Sequence, residues 1–561
     1  MEASPVLKPN PKFASAKPKL GLRAWMERVL VECDRAADGF DAEAVHDLRV
    51  ALRRCRSLAD GLMAIDPDSS WKDMKKAGKK LFQALGELRD MQVMQEWIEK
   101  LSDESFSDEK LNAHSESSDN RASDDRSSAN PSSERALGDP VANRVLDHVH
   151  AREFECKQHA FKDLSQFDRK QWRQWGRSLP QRASRVRPGS VVYLHLALEK
   201  WTAAYDLHKH ALRTRSQVSW HALRIGIKRF RYTVENFLPR QHALWGDDLK
   251  ELQDLLGEVH DLDVLWATAV GITAFPDVES RKHWREKLNA ERNRRIERYR
   301  EKMVGRQSLW HVWRAELPSG PQLRAAALSR LRVWSGFLDP DFSHSQRVAQ
   351  LALLLYDGLQ NAGLLTTGAG AANFDGKALR SPNPNSQNGT QYDPRAVLQA
   401  AAVMHDVGKA KGSENHQKTS YRMIRGMARP LGWSARELEL AAVVARYHRG
   451  ALPHPRGKTL QTVELQDRPI AMELAGILRL ANALDTGKGH GENERSQNEK
   501  DNVSAPRLEL GLQERSVVLR VAGYAPLDRS AEGVAAARHL LETVLHRPVL
   551  VRTLRTASGG Q

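Results

Sequence analysis

Only three cysteines, Cys33, Cys55 and Cys156, occur in 561 residues. That number excludes a disulfide framework and any CxxC or cysteine-rich zinc module. No stretch approaches the ~18 consecutive apolar residues that a membrane-spanning helix needs. The first residues, MEASPVLKPNPKFASAKPKL, contain no apolar run of the kind a secretory signal carries, so the expectation is a cytoplasmic protein. Aromatic residues make up only 6 %, and apolar residues 40 %, enough for packed cores. Glycine-rich loops of the sort that cradle nucleotide phosphates are missing, as are helix-turn-helix, zinc-finger and RNP-type aromatic signatures.

Positive charge is abundant. Lys and Arg number 86 against 70 Asp and Glu, giving a net charge of +16. The excess is uneven: residues 101–140 are net acidic, whereas 141–310 and 311–561 are strongly basic. Such a balance points to a polyanionic partner: nucleic acid, anionic lipid or polyphosphate. The missing nucleic-acid signatures disfavour the first of these.

Biased segments divide the chain. Residues 1–20, with Pro5, Pro9, Pro11, Pro18 and scattered lysines, read as an extended tail. Residues 103–134, 366–393 and 486–506 are rich in Ser, Asn, Asp, Gly and Glu and interrupt periodic sequence; they read as disordered loop insertions. Almost everything else repeats its apolar residues at helical spacing. Toward the C-terminus, LELGL, SVVLRVAGY and PVLVRTL read as short strands around the helix AEGVAAARHLLETVL. The expected domains are a helical one over 21–310, a connector over 311–337, a second helical one over 338–485, and a small α+β cap over 507–561.

Two stretches of the first domain repeat each other. His46, Arg49, Val50, Arg53, Arg54 and Arg56 return as His221, Arg224, Ile225, Lys228, Arg229 and Arg231, an offset of 175. Gly86, Glu87, Asp90 and Val93 return as Gly257, Glu258, Asp261 and Val264, an offset of 171. Two matched motifs at nearly one spacing imply an internally duplicated helical domain. On a helix His46, Arg49, Arg53 and Arg56 span an arc of roughly 80°. Leu48, Leu52, Cys55 and Leu62 flank them on the adjoining face, and Leu223, Ile227, Phe230 and Phe237 do the same for the second stripe. Arginine forks bind phosphate oxygens bidentately, so two such helices lining a cleft suit a chain of phosphates. Lys75, Lys76, Lys79 and Lys80 add charge nearby. The competing reading is a pair of solvated, salt-bridged faces, with Asp90 and Asp261 as structural partners or caps.

These motifs, HxxRVxxRRxR followed by LGxxRDxxV and HxLRIxxKRxRY followed by LGxxxDLDV, resemble the CHAD domain. That resemblance implies a duplicated all-α bundle over about 21–310 with a basic central cavity for inorganic polyphosphate. The polyphosphate-binding residues it implies are His46, Arg49, Arg53, Arg54, Arg56, His221, Arg224, Lys228, Arg229 and Arg231.

The second domain carries AAAVMHDVGKAKG at 400–412, with His344 lying 61 residues before His405. Adjacent His405 and Asp406 at a helix end can converge on one divalent metal, His344 reaching in from an earlier helix. Lys409 and Arg449 are placed to hold a phosphate oxygen, and His416 and His448 are further candidates. The competing reading is a hydrogen-bonded helix end. The features HxxxVAxLAxxLxD (344–357), AAxxHDxGK (401–409), SYxxI (420–424), ARxHRG (445–450) and LRLANALD (478–485) resemble the HD phosphohydrolase superfamily. More narrowly they are similar to the C-terminal part of the exopolyphosphatase/guanosine pentaphosphate phosphatase family. The resemblance implies a metal set of His344, His405, Asp406 and the residue at position 482, with Mn²⁺, Mg²⁺ or Fe²⁺ as the ion. Position 482 is Asn where the superfamily has Asp, which lowers metal affinity; Asp485 lies one turn on. Thr419 stands where the narrower family usually has His. That family places its exopolyphosphatase chemistry in an N-terminal actin-like domain that this sequence lacks, so the resemblance implies no such activity.

The sequence therefore predicts a mostly α protein: a CHAD-like bundle, an all-α HD-like domain and an α+β cap. The leading functional expectation is an inorganic polyphosphate-binding protein, cytoplasmic, at polyphosphate granules or beside polyphosphate-metabolising enzymes. The alternative is a metal-dependent HD phosphohydrolase acting on a nucleotide, alarmone or other phosphate ester.

Overall fold

The computed structural model describes residues 21–102, 139–366, 392–486, 507–527 and 529–554. The N-terminal tail, the acidic 103–134 segment and most of the 366–393 and 486–506 stretches lie outside the described residues. The chain divides into two units, one of residues 1–64 and 68–317, the other of 65–67 and 318–561. Helix dominates both, with three short strands near the C-terminus.

In the first unit the helices run α1 (Leu22–Ala37), α2 (Ala42–Leu62), α3 (Ser69–Ala77), α4 (Lys79–Ser102), α5 (Pro140–Ser165), α6 (Arg169–Ala183), α7 (Val191–Thr214), α8 (Gln217–Phe237), α9 (Pro239–Gly271), α10 (Val278–Met303) and α11 (Leu309–Ala315). Short polar residues start the key ones. Asp41 accepts from Ala44 N at 2.8 Å to cap α2, and Ser216 from Ser219 N at 3.2 Å to cap α8. Along α2, Leu48, Leu52, Cys55, Ala59 and Leu62 are buried; along α8, Leu223, Ile227, Phe230, Val234 and Phe237. The duplication is visible in packing. Helix α1 pairs with α2 as α7 pairs with α8, and α4 with α5 as α9 with α10. The copies meet where α2 packs on α8 and α4 on α9.

The second unit contains α12 (Gly320–Leu338), α13 (Phe342–Asn361), α14 (Pro394–Met404), a short 3-10 turn (Val407–Lys411), α15 (His416–Gly426), α16 (Ala435–Arg446) and α17 (Arg468–Thr486). Then come β1 (Leu508–Gln513), β2 (Ser516–Val521), α18 (Arg529–Leu545) and β3 (Val549–Thr553). Strands β1 and β2 form an antiparallel hairpin with Leu510 opposite Leu519, and β3 adds parallel to β2 with Leu550 opposite Val518. Helix α18 makes the crossover and packs on α17. The stretch read as a connector is itself helical: Ala327 and Leu331 of α12 share one core with Val348, Ala352 and Leu355 of α13 and Ala441 of α16.

All three cysteines are buried and free. No helix among the described residues is long and apolar enough to cross a membrane.

Candidate functional site

The cationic stripes of α2 and α8 are held together across the repeat. Arg54 of α2 makes an ion pair of 2.6 Å with Glu235 of α8, and Asn236 Nδ2 donates to Ser57 Oγ at 3.0 Å. Between these links Arg53 Cζ and Lys228 Nζ each lie 5.9 Å from the centre of the Tyr232 ring. Burial, with Arg224, Arg53, Arg49 and Arg231 all acting on Lys228, pushes its ammonium down to about 8. Arg49 is lowered by burial, against the pull of Asp90, with Arg53, Arg89 and Arg224 adding repulsion. The buried Nε atoms of Arg53 and Arg224 have no hydrogen-bond partner among the described residues. Unpaired buried donors beside gathered like charges are groups whose burial and mutual repulsion an anion would offset.

The predicted residues divide here. Arg49, Arg53, Arg224, Lys228 and Arg231 form the electrostatic cluster. Arg54 is committed to Glu235, and Arg56 donates to the Lys75 carbonyl at 3.0 Å and lies over the Phe82 ring. Arg229 and His46 are exposed. His46 and His221 are pushed below the usual histidine value by burial and neighbouring arginines, so at neutral pH they act as hydrogen-bonding groups and not as charges. His221 Nδ1 lies 3.3 Å from His260 Nδ1. His260 and Arg89, not among the residues expected from the sequence, also act in this cluster. They occupy the same position of the second repeated motif, and that correspondence is the signal by which they were legible.

Two carboxylates enter the cluster. Asp90 and Asp261 are both raised by burial; Asp261 reaches about 6, with Arg224 opposing the shift and Asp90 reinforcing it.

The second unit gathers its own group. Asp341 caps α13 by accepting from His344 N at 3.1 Å, which sets His344 in the first turn. Helix α14 ends at Met404, delivering His405 and Asp406 to its C-terminus. His416 opens α15, His448 follows α16, and Asn482 and Asp485 lie on α17. His405, Asp406, His416 and His448 are all at most 2 % exposed. Asp406 Oδ2 lies 3.4 Å from His405 Nε2 and 3.9 Å from His344 Nε2. Its Oδ1 lies 3.0 Å from His416 Nε2 and 3.6 Å from His448 Nε2. Burial opposes ionisation of Asp406, but His405 with His416 and His448 outweighs it and holds the carboxyl well below the usual range.

The histidine tautomers follow from their partners. Nδ1 of His405, His416 and His448 meets the carbonyls of Ala402, Ser413 and Ala445 at 2.7, 2.8 and 2.8 Å. A carbonyl only accepts, so each Nδ1 carries a proton, and each Nε2 is left facing Asp406. The Nε2 atoms of His416 and His448 lie 3.3 Å apart, a distance at which they share either a proton or a metal ion. His405 Nε2 is buried without a hydrogen-bond partner among the described residues. Donor chemistry and an orphaned nitrogen thus fit a divalent metal, as the groups His344–His405–Asp406 and Asp406–His416–His448 both allow.

Around this centre, His344 Nδ1 bonds Asp485 Oδ2 at 2.6 Å, and Arg347 grips the same carboxylate with two contacts of 2.9 Å. His344 Nε2 lies 3.0 Å from Asn482 Oδ1. Lys409 is ion-paired to Asp406 Oδ2. Arg449 is exposed beside buried His448. Arg479, which the sequence did not single out, donates to the carbonyls of Tyr447 and Gly450 and so fixes the turn bearing His448 and Arg449.

Residues 21–270 match the CHAD domain family. Residues 337–517 match the Ppx/GppA phosphatase family, domain III. No curated protein matches the chain. The chain therefore joins a CHAD domain to a Ppx/GppA phosphatase domain III, a combination that fits a polyphosphate-related role.

Proposed function

We propose that this protein binds inorganic polyphosphate in the cleft between α2 and α8. The observation that carries the reading is the convergence of Arg49, Arg53, Arg224 and Lys228 from two copies of one motif, with buried Nε donors of Arg53 and Arg224 unpaired among the described residues. A run of phosphates offers each of them an oxygen, and charge-assisted hydrogen bonds of this kind are the strong ones. On this reading the protein works in the cytoplasm, at polyphosphate granules or beside the enzymes that make and degrade the polymer.

Defined-length polyphosphate, resolved in native and denaturing gels, tests it. Wild-type protein is expected to shift the polymer with its length intact. Replacing both Arg53 and Lys228 with Ala is expected to weaken binding on the order of 100-fold, at about 1.5–3 kcal/mol per charged hydrogen bond. Unchanged affinity in that variant would end the cleft reading.

A second reading rests on the buried His/Asp centre: a metal-dependent phosphohydrolase acting on a nucleotide, alarmone or other phosphate ester. A divalent ion there supplies Lewis-acid chemistry. His344, His405, Asp406 and Asn482 are the residues to hold Mn²⁺, Mg²⁺ or Fe²⁺, with Lys409 and Arg449 near the developing charge. This reading expects Mn²⁺-stimulated phosphate release that His405→Ala abolishes. Release that persists in the variant rules it out.

A further inference from the structure

Lys228 is the one primary amine of the two cationic stripes. The other cations from Arg49 to Arg56 and from Arg224 to Arg231 are guanidiniums, and the first copy has Arg53 where the second has Lys228. That exchange alters chemistry as well as size. A guanidinium stays protonated, whereas an ammonium that loses its proton presents a nucleophilic lone pair.

The surroundings of Lys228 favour the neutral amine. Burial comes first, and the repulsion of Arg224, Arg53, Arg49 and Arg231 adds to it, so the ammonium is pushed down to about 8. His260 of α9 faces the same group and is itself lowered, in part by Lys228. Lys75 and Lys409 each pair with a carboxylate, that of Asp60 and of Asp406. Lys228 pairs with none among the described residues; its Nζ lies over the Tyr232 ring instead, 5.9 Å from the centre. At pH 7.5 about one Lys228 in four is then neutral, against about one in a thousand for a lysine at the unperturbed value. The residue is half-buried, so a small ligand reaches it.

The groups that depress the amine also select its reaction partner. Arg224 lies one helical turn before Lys228 on α8, and Arg53 of α2 shares the Tyr232 ring with it. Guanidiniums so placed suit a small phosphate dianion. In an acyl phosphate the carbonyl carbon is two bonds from phosphorus, and the leaving group is the phosphate that the arginines would stabilise.

We propose that Lys228 is a modification site that takes an acyl group from a small acyl phosphate held by Arg53 and Arg224. The inference rests on the reading of the cleft as a phosphate site. The neutral Nζ attacks the carbonyl carbon, and a C–N bond forms as the C–O bond to phosphate breaks. Inorganic phosphate leaves with the electron pair, and the proton released from nitrogen passes to it or to water. The amide product is uncharged, so the cleft loses one cation and holds a polyanion more weakly.

Acetyl phosphate is the probe. Full-length protein is incubated with it at pH 7.5, and acetylation of each lysine is followed by mass spectrometry of the digest. Lys228 should react at least about tenfold faster than Lys75 or Lys302, whose ammonium groups are held by Asp60 and Glu251. The N-hydroxysuccinimide ester of acetate, an acyl donor without phosphate, should show a smaller preference for Lys228. Protein acetylated at Lys228 should bind defined-length polyphosphate on the order of tenfold more weakly. Binding by Lys228→Arg, whatever its own strength, should no longer respond to acetyl phosphate. A Lys228 that acetyl phosphate does not prefer overturns the proposal. Equal preference with the two donors also overturns it, because phosphate recognition then plays no part. Untreated protein that shifts polyphosphate while its Lys228 stays unreactive keeps the cleft reading and sinks this one; protein that does neither sinks both.

Discussion

Asp261 and Asp90 are carboxylates that the duplication carries into its own cationic cluster, and their protonation sets how much positive field the cleft offers. Burial raises Asp261 to about 6, against an ordinary value near 3.9 in the unfolded chain. The folded state therefore holds a proton that the unfolded state releases between about pH 4 and pH 6. Where the native state binds more protons, stability falls as pH rises, so across this window Asp261 becomes a growing liability. At pH 7 its ionised form costs on the order of 3 kcal/mol. Asp261→Asn should accordingly stabilise the protein at pH 7 in urea unfolding, with the gain shrinking toward zero below about pH 4. A destabilised variant at pH 7 would show that pairing with Arg224 outweighs the burial. The same logic predicts tighter polyphosphate binding at pH 5.5 than at pH 7.5. Protonation of Asp90 and Asp261, both raised, removes negative charge from the cleft. His46 and His221, both lowered, gain positive charge only on the acid side. In Asp261→Asn the difference between the two pH values should narrow when measured by the gel assay.

At the scale of elements, the metal centre depends on how closely α15 approaches the turn after His405. Gly408 N donates to Ser420 Oγ at 2.9 Å, and a Cβ on Gly408 would overlap the His416 carbonyl and the Ser420 backbone nitrogen. Only glycine lets that helix start where His416 faces Asp406. Gly408→Ala should push the first turn of α15 away, at about 1–3 kcal/mol for overpacking. A melt lowered by several degrees together with weakened Mn²⁺ binding is the expected result; unchanged metal binding would show that α15 has slack. Much of this was legible in the sequence. The stripes of α2 and α8 follow from matched residues at one offset, and the HD pair from its glycine and lysine neighbours. The strand–helix–strand end follows from β-branched alternation around an amphipathic segment. The division of labour within each motif was not legible. Arg49, Arg54 and Arg56 are one residue type in one motif, yet Arg54 is claimed by Glu235 and Arg56 by the Lys75 carbonyl. Those partners lie 181 and 19 positions along the chain, and only the fold brings them close. The same holds for α12, whose Ala327 and Leu331 reveal no core role until α13 and α16 pack against them.

For the whole molecule, the two units have separate interiors. One cluster of buried residues in the first unit joins Met94, Trp97 and Ile98 to Val141, Val145, Leu262 and Leu265; another in the second unit runs from Ala327 through Met404 and Leu478 to Val549. Each proposed ligand draws all its contacts from one of them. Polyphosphate would engage residues of α2 and α8 in the first unit, and the divalent ion would engage the His/Asp centre around Asp406 in the second. A ligand that binds only the native form stabilises by about 2.7 kcal/mol at a free concentration one hundred times its Kd. For a unit of 150–250 residues that is a rise of roughly 5–10 °C in its own melting temperature. Calorimetric unfolding is therefore expected to resolve two transitions, one moved by polyphosphate alone and the other by Mn²⁺ alone. The Arg53/Lys228 double alanine variant should lose the first response and keep the second, and His416→Ala the reverse. A single transition shifted by both ligands would mean that the units unfold as one cooperative body, and that metal occupancy in the second is felt as stability in the first.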